Sequence, residues 1–211
     1  MGSTADEIVF YTHPQSRGRI VRWMLEETGQ PYRTEVLGYG ESMKSPAYLA
    51  INPMGKVPAI VHRGVAVTEA AAICSYLADA FPQAGLAPAL DDPLRGSYFR
   101  WLFFAAGPVE AAASAKAFGL LAPPEKAGMV GYGSFEQMVD TLEKAVAGAV
   151  PWLLGERFSA ADVYLGSQVL WGMMFRTLPE RPAFAGYGAR LRARPAWQRA
   201  SALDDALIPQ Q

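Results

Sequence analysis

Every strand-like segment of this chain lies before Phe81, and beyond the proline-bearing stretch that follows only helical patterns remain. Residues 7–12 are short and rich in Ile, Val, Phe and Tyr, and they stop at His13-Pro14, as a buried strand does. From Ser16 the period changes: Ile20, Trp23, Met24 and Glu27 recur at helical spacing until Gly29 closes the segment. Residues 32–37 predict a second strand, and 44–50 a weak helix entered through Ser45-Pro46. Residues 57–61 and 65–67 predict two strands joined tightly at Arg63-Gly64, a hairpin pattern. Residues 68–81 predict an alanine-rich helix with Thr68 as its N-cap. The order β-α-β-(α)-β-β-α describes a compact α/β unit.

Pro82, Pro88 and Pro93, with Gly85, mark residues 82–93 as a linker. Beyond it, residues 94–118 predict a long aromatic-rich helix with a kink at Gly107-Pro108. A Gly/Pro loop spans 120–133, further helices cover 134–154, 159–175 and 182–194, and a short piece surrounds Trp197. The expected organisation is therefore an α/β domain at 1–81, a linker at 82–93 and an all-helical domain at 94–211. With 211 residues, 51% of them hydrophobic, both parts can bury a core.

Charge and cysteine usage exclude several classes. Nineteen basic and 20 acidic residues give a net charge of −1, without the basic footprint of a nucleic-acid binder. No apolar run approaches the roughly 20 residues of a membrane-spanning helix. Residues 1–7 carry neither a basic start nor an apolar core, so export is not expected. A single cysteine, Cys74, allows no internal disulfide and fits a reducing, cytoplasmic compartment. With only His13 and His62 beside it, no cluster has metal-ligand spacing, and no metal is expected.

Three stretches carry a resemblance: PQSRGRIVRWMLEETGQPY from Pro14 to Tyr32; NPMGKVPAI from Asn52 with VTEAAAICSYL from Val67; and RFSAADVYLG from Arg157 to Gly166. In this order and spacing the chain resembles the cytosolic glutathione S-transferases nearly end to end, and its first stretch is similar to bacterial and fungal members with a Pro-x-Ser-Arg loop. The resemblance implies a thioredoxin-like N-terminal domain plus an all-α C-terminal helical bundle. It also implies glutathione as co-substrate without a further cofactor, a small electrophilic or hydrophobic second substrate, and a homodimer with no nucleic-acid or membrane partner. The activity it implies is activation of the glutathione thiol for attack on an electrophilic, largely apolar substrate in detoxification; a glutathione-dependent peroxidase or reductase, and a non-catalytic ligand- or protein-binding module, are the alternatives on the same scaffold.

The same resemblance implies roles for particular residues. Val57-Pro58 matches the cis-proline position, at which the Val57 backbone would pair with the cysteinyl backbone of glutathione. Glu69 and the Ala70 N–H, at a helix N-terminus, would take the γ-glutamyl ammonium and carboxylate. Family members commonly have Glu-Ser there, so Ala70 removes one hydroxyl donor. A free thiol titrates near pH 8.5, so a donor aimed at sulfur is needed to favour the thiolate. Ser16, then Arg17, then Tyr11 are the candidates, and Ser16 reads equally as the N-cap of the first helix. Lys44 and Lys56 are candidates for the glycyl carboxylate, although lysines at such positions are as readily solvated. Tyr98, Trp101 and Phe104 are the candidates for an apolar second-substrate pocket, with core packing as the competing role. Cys74, mid-helix, reads as an inert buried thiol, and Phe158-Ser159-Ala160-Ala161-Asp162 as a capping box.

Overall fold

A computed structural model describes Asp6 to Ile208; the residues before Asp6, which enter the reading against export, lie outside it. The chain forms two compact units. One comprises the residues up to Ala84 together with those from Pro195 onward, and the other is Gly85–Arg194.

The first unit is built on a four-stranded sheet. β1 (Ile8–Thr12), β2 (Tyr32–Val36), β3 (Ala59–His62) and β4 (Val65–Thr68) lie in the order β2-β1-β3-β4. β1 pairs parallel with β2 and antiparallel with β3, which pairs antiparallel with β4. The parallel pair requires a crossover, and α1 (Gly18–Thr28) supplies it. The β3–β4 connection turns at Arg63 and Gly64, both in the left-handed region at φ 54° and 74°, as a tight hairpin demands.

Alternation along β1 sorts the two sheet faces. Phe10 is fully buried on the side of α1, where its ring meets Tyr32 edge-on and the Arg22 guanidinium. Tyr11 turns the other way, against Tyr48 of the short α2 (Pro46–Leu49) and the cluster of Met43, Ala59 and Val57. α3 (Ala70–Ala80) packs Ile73, Cys74 and Leu77 into the core beside α1. Its N-cap is Glu69; Thr68, the cap expected from sequence, is instead the last residue of β4. Pairing of Thr68 with Ala59 extends the strand through the residue before the helix.

The second unit holds helices and no strand among its described residues. α4 (Arg95–Phe104) passes through a single wide turn at Ala105–Val109 into α5 (Glu110–Ala117). Pro108 sits inside that turn: a proline lacks the N–H and crowds the preceding turn, and the locally widened ladder accommodates both. α6 (Phe135–Ala147) stops earlier than the 134–154 pattern suggests, since residues 150–157 form a tight excursion with bridges Trp152–Gly155 and Leu154–Arg157. α7 (Ala160–Met174) is buried over most of its circumference, and α8 (Pro182–Arg192) completes the unit. The capping box at the start of α7 forms: Ser159 donates its N–H and O–H to Asp162 Oδ2 at 3.0 and 2.9 Å. Asp162 Oδ1 accepts from the Leu153 N–H and the Tyr187 hydroxyl, so this buried carboxyl joins three segments. Burial nonetheless raises its pKa above the ordinary carboxylate value.

The piece expected around Trp197 is a full helix, α9 (Pro195–Asp205), and it packs on α1 in the first unit. The helical unit thus ends at Arg194, short of the 94–211 span expected from sequence.

Candidate active site

The ladder between β3 and β4 ends at Ala59 and Thr68, which makes Pro58 and Glu69 the next residues out along the two strands. Register therefore brings Val57-Pro58 alongside Glu69-Ala70. The Val57-Pro58 bond is cis. Neither the N–H nor the C=O of Val57 takes a hydrogen-bond partner among the described residues. The preceding Lys56 carbonyl is held by two donors, the Tyr48 hydroxyl at 2.6 Å and Asn52 Nδ2 at 2.7 Å. Burial pushes the Tyr48 phenol up to about 12. Asn52 also accepts from the Met54 N–H, closing the Asn52-Pro53-Met54-Gly55 turn.

Lys44 does not stand open to a ligand. Its Nζ donates to the Met54 and Gly55 carbonyls at 3.2 and 2.9 Å, clasping the same turn. Gly55 is required there, since at φ 57° a side chain is strained and its Cβ would sit 2.7 Å from Lys44 Nζ and 2.8 Å from the Met43 carbonyl. Lys56 is exposed.

Glu69 is held at φ 66°, ψ 114°, an unfavourable conformation for a residue with a side chain, costing about 1–3 kcal/mol. Its carbonyl begins α3 by accepting from the Ile73 N–H, while its exposed carboxylate takes no partner among the described residues. The strained backbone puts a carboxylate beside the first-turn N–H groups of an 11-residue helix.

The loop between β1 and α1 is closed by side chains. Ser16 Oγ accepts from the Gly18 N–H at 2.9 Å and donates to the His13 carbonyl at 2.7 Å. The N-cap of α1 is Arg17 and not Ser16, which lies one residue earlier and takes the first helical N–H; the single Ser16 hydroxyl hydrogen is engaged within the loop. The Pro14 carbonyl takes Arg19 Nε at 2.5 Å, the Gln15 N–H donates to His13 Nδ1 at 3.1 Å, and the Gln15 carbonyl takes the Tyr39 hydroxyl at 2.9 Å. Gly18 must be glycine, because a Cβ there would collide with Thr12 Oγ1. Arg17 is exposed at the start of α1. Tyr11 is half-buried on the Val57 cluster, and its hydroxyl takes no partner among the described residues.

In the helical unit, Tyr98 is fully buried and offers no surface to a ligand, because α4 turns it inward with Leu102. Trp101 and Phe104 are half-buried, three residues apart on α4, with ring centroids 5.8 Å apart. Cys74 is fully buried, and burial pushes its thiol well above the usual range. Among the described residues no cluster of three or more His, Cys, Asp or Glu could hold a metal ion, and no helix is long and apolar enough to cross a membrane.

Sequence reasoning overlooked Tyr48, Asn52, Arg19 and Tyr39. Asn52 carried a signal, since Asn before Pro-x-Gly is turn-forming. Tyr39 carried none.

Residues 16–80 match the model for the glutathione S-transferase N-terminal domain, and residues 110–200 the model for the C-terminal domain. The chain is 30% identical to glutathione S-transferase GstA of Escherichia coli O157:H7 over 158 residues, 72% of this chain and 76% of that protein. It is 28% identical to the disulfide-bond oxidoreductase YfcG of Escherichia coli K12 over 204 residues, 90% and 92% of the two chains. The structure of a sphingomonad glutathione S-transferase complexed with glutathione superposes with a TM-score of 0.73 at 27% identity, over 93% of this chain and 98% of that one. With both domain models matched in order, and the cis-proline turn and helix N-terminus meeting at one end of the sheet, this chain belongs to the glutathione S-transferase family.

Proposed function

We propose that the first unit binds glutathione across the end of the β3–β4 ladder and activates its thiol for transfer to an electrophilic, largely apolar substrate. The observation that carries the reading is Glu69: its carboxylate is kept at an energetic cost beside open helix N–H groups, one residue beyond the ladder that leads to Val57. An amino acid end, with ammonium and carboxylate on one carbon, matches that pairing of acceptor and donors. The Val57 N–H and C=O then pair with the cysteinyl backbone, and the exposed Lys56, rather than the occupied Lys44, meets the glycyl carboxylate. In the reaction the glutathione sulfur loses its proton to solvent, and the thiolate forms a bond to the electrophilic carbon. The leaving group departs, or the adduct is protonated.

Ser16 is the thiolate donor. Its oxygen is fixed by the Gly18 N–H, and a hydroxyl hydrogen rotates without moving that oxygen, so the hydrogen passes from the His13 carbonyl to the sulfur when glutathione binds. Accepting from a helix-terminal N–H also strengthens the hydroxyl as a donor. The unoccupied Tyr11 hydroxyl supports a second reading in which the phenol takes this role. Mixed-disulfide chemistry is disfavoured, because the single cysteine is buried with its thiol held protonated. Trp101 and Phe104 contribute apolar surface for the second substrate, and a cytoplasmic homodimer completes the proposal on the strength of family membership.

The test is a titration of bound glutathione by thiolate ultraviolet absorbance in the wild type, Ser16→Ala and Tyr11→Phe. Loss of one donor to an anion is worth about 1.5–3 kcal/mol, so the serine variant shifts the thiol titration upward and slows neutral-pH conjugation roughly ten- to a hundredfold. A titration that moves only in Tyr11→Phe transfers the role to the phenol. No thiolate in any of the three leaves a binding module in place of an enzyme.

A further inference from the structure

Tyr39 lies at the tip of the connection between β2 and α2 and is 64% exposed, yet it makes two directed contacts to a loop 24 residues earlier. Its hydroxyl donates to the Gln15 carbonyl at 2.9 Å, and its ring lies against that of His13 with centroids 4.4 Å apart. The connection that carries it is closed on itself: the Leu37 N–H donates to the Thr12 carbonyl, and the Gly38 N–H to Ser42 Oγ at 2.7 Å. An exposed aromatic on an open loop would have many orientations; this one is anchored at both its base and its tip.

What Tyr39 holds is the immediate frame of Ser16. The His13 carbonyl that receives the Ser16 hydroxyl and the His13 Nδ1 that receives the Gln15 N–H belong to one residue, whose ring is the one Tyr39 covers. The carbonyl that Tyr39 bonds directly precedes the Ser16 peptide. The neighbouring Pro14 carbonyl is held from α1 by Arg19, so the loop is tied on one side by its own helix and on the other by Tyr39. The Gln15 N–H at His13 Nδ1 and the tilted Tyr39 ring beside the imidazole together fix the orientation of that ring.

We propose that Tyr39 is a positioning residue for thiol activation, acting through Gln15 and His13 to keep the Ser16 hydroxyl in reach of the glutathione sulfur. This rests on the reading of Ser16 as the thiolate donor. Displacement of a catalytic group by about 1 Å costs up to roughly a hundredfold in rate, while Glu69 and Val57, which hold the peptide, are untouched. The loss therefore falls on kcat, with KM for glutathione nearly unchanged.

The experiment measures the thiol titration of bound glutathione, kcat and KM across pH, and thermal stability in Tyr39→Ala, Tyr39→Phe and Ser16→Ala. Tyr39→Ala loses both contacts, and its thiol titration moves upward with a roughly tenfold fall in kcat at neutral pH. Tyr39→Phe keeps the ring contact and gives a smaller shift in the same direction. A titration unchanged in both tyrosine variants, with a clear shift in Ser16→Ala, overturns the positioning role and leaves the serine reading intact. A titration unchanged in all three overturns the serine reading, and the role of Tyr39 with it.

Discussion

Glu69 holds the backbone at φ 66° and ψ 114°, outside the regions open to residues with a side chain. A glycine there would relieve the strain of the positive φ. Glu69→Gly is therefore expected to raise the unfolding free energy by about 1 kcal/mol, part of the cost of an unfavourable backbone conformation. It also weakens glutathione binding by about 1.5–3 kcal/mol, through loss of a charged hydrogen bond. Calorimetry and urea unfolding on the same variant check both signs; a variant that is more stable and binds as tightly as the wild type removes Glu69 from the site. His62 is a second residue with a measurable signature. It is 1% exposed, bonded through Nδ1 to the Tyr76 hydroxyl, and its Nε2 has no partner among the described residues. Burial first, and Arg63 second, lower its pKa, with Asp6 opposing. Below about pH 6.5, the ordinary imidazole value, the unfolded chain takes up a proton that the folded chain refuses. Stability contributed by neutral His62 is thus complete above that pH and is lost as pH falls from there towards the lowered folded value. Urea midpoints at pH 7.5 and 5.5 should separate in the wild type and converge in His62→Phe; equal separation in both would remove His62 as the cause.

At the scale of elements, local chemistry was readable wherever a signal is carried within one turn. Helix α1 was legible from its spacing and from Gly29, which ends it in the left-handed region at φ 66°. The hairpin followed from Arg63-Gly64 and the kink from Gly107-Pro108, although its form, a widened turn instead of a break, depends on how α4 and α5 pack around it. Misreadings fell where two periods meet. Thr68 has the side chain of a helix cap, but its pairing with Ala59 claims it for β4 and passes the cap to Glu69. The expected helix runs on through 148–154, yet Asp162 draws the Leu153 N–H out of any helix, and that bond spans nine residues. Ser16, expected as the N-cap of α1, stands one residue before the actual N-cap Arg17, yet its oxygen takes the Gly18 N–H that opens the helix while its hydrogen goes to the His13 carbonyl.

Across the whole molecule the largest departure from expectation is α9, which leaves the helical unit and completes the first. Arg22, 3% exposed in α1, donates Nε to Asp204 Oδ1 of α9 at 2.7 Å, and two outer pairs, Arg19 with Asp205 and Arg199 with Glu26, flank it. Burial raises the Asp204 pKa against the pull of Arg22, so desolvation outweighs attraction at that carboxyl. Removing one partner strands the other, and Asp204→Ala is expected to cost about 3–5 kcal/mol in urea unfolding. The double variant Arg22→Met with Asp204→Ala should recover much of it, because no buried charge remains. A single variant as stable as the wild type would show that α9 is held by its apolar face alone. The sequence by itself determined the two-part character of the chain and the order of its elements from local patterning, and the family, with the cis-proline position it implies, from the order and spacing of three motifs. Tertiary structure alone decided the strand order β2-β1-β3-β4, the meeting of Val57 with Glu69, the enlistment of Lys44 and Tyr39 as braces, and the return of α9 to α1. Those outcomes depend on pairings between residues up to 182 positions apart, and no local period or cap encodes which distant partner will satisfy a buried charge or an open carbonyl.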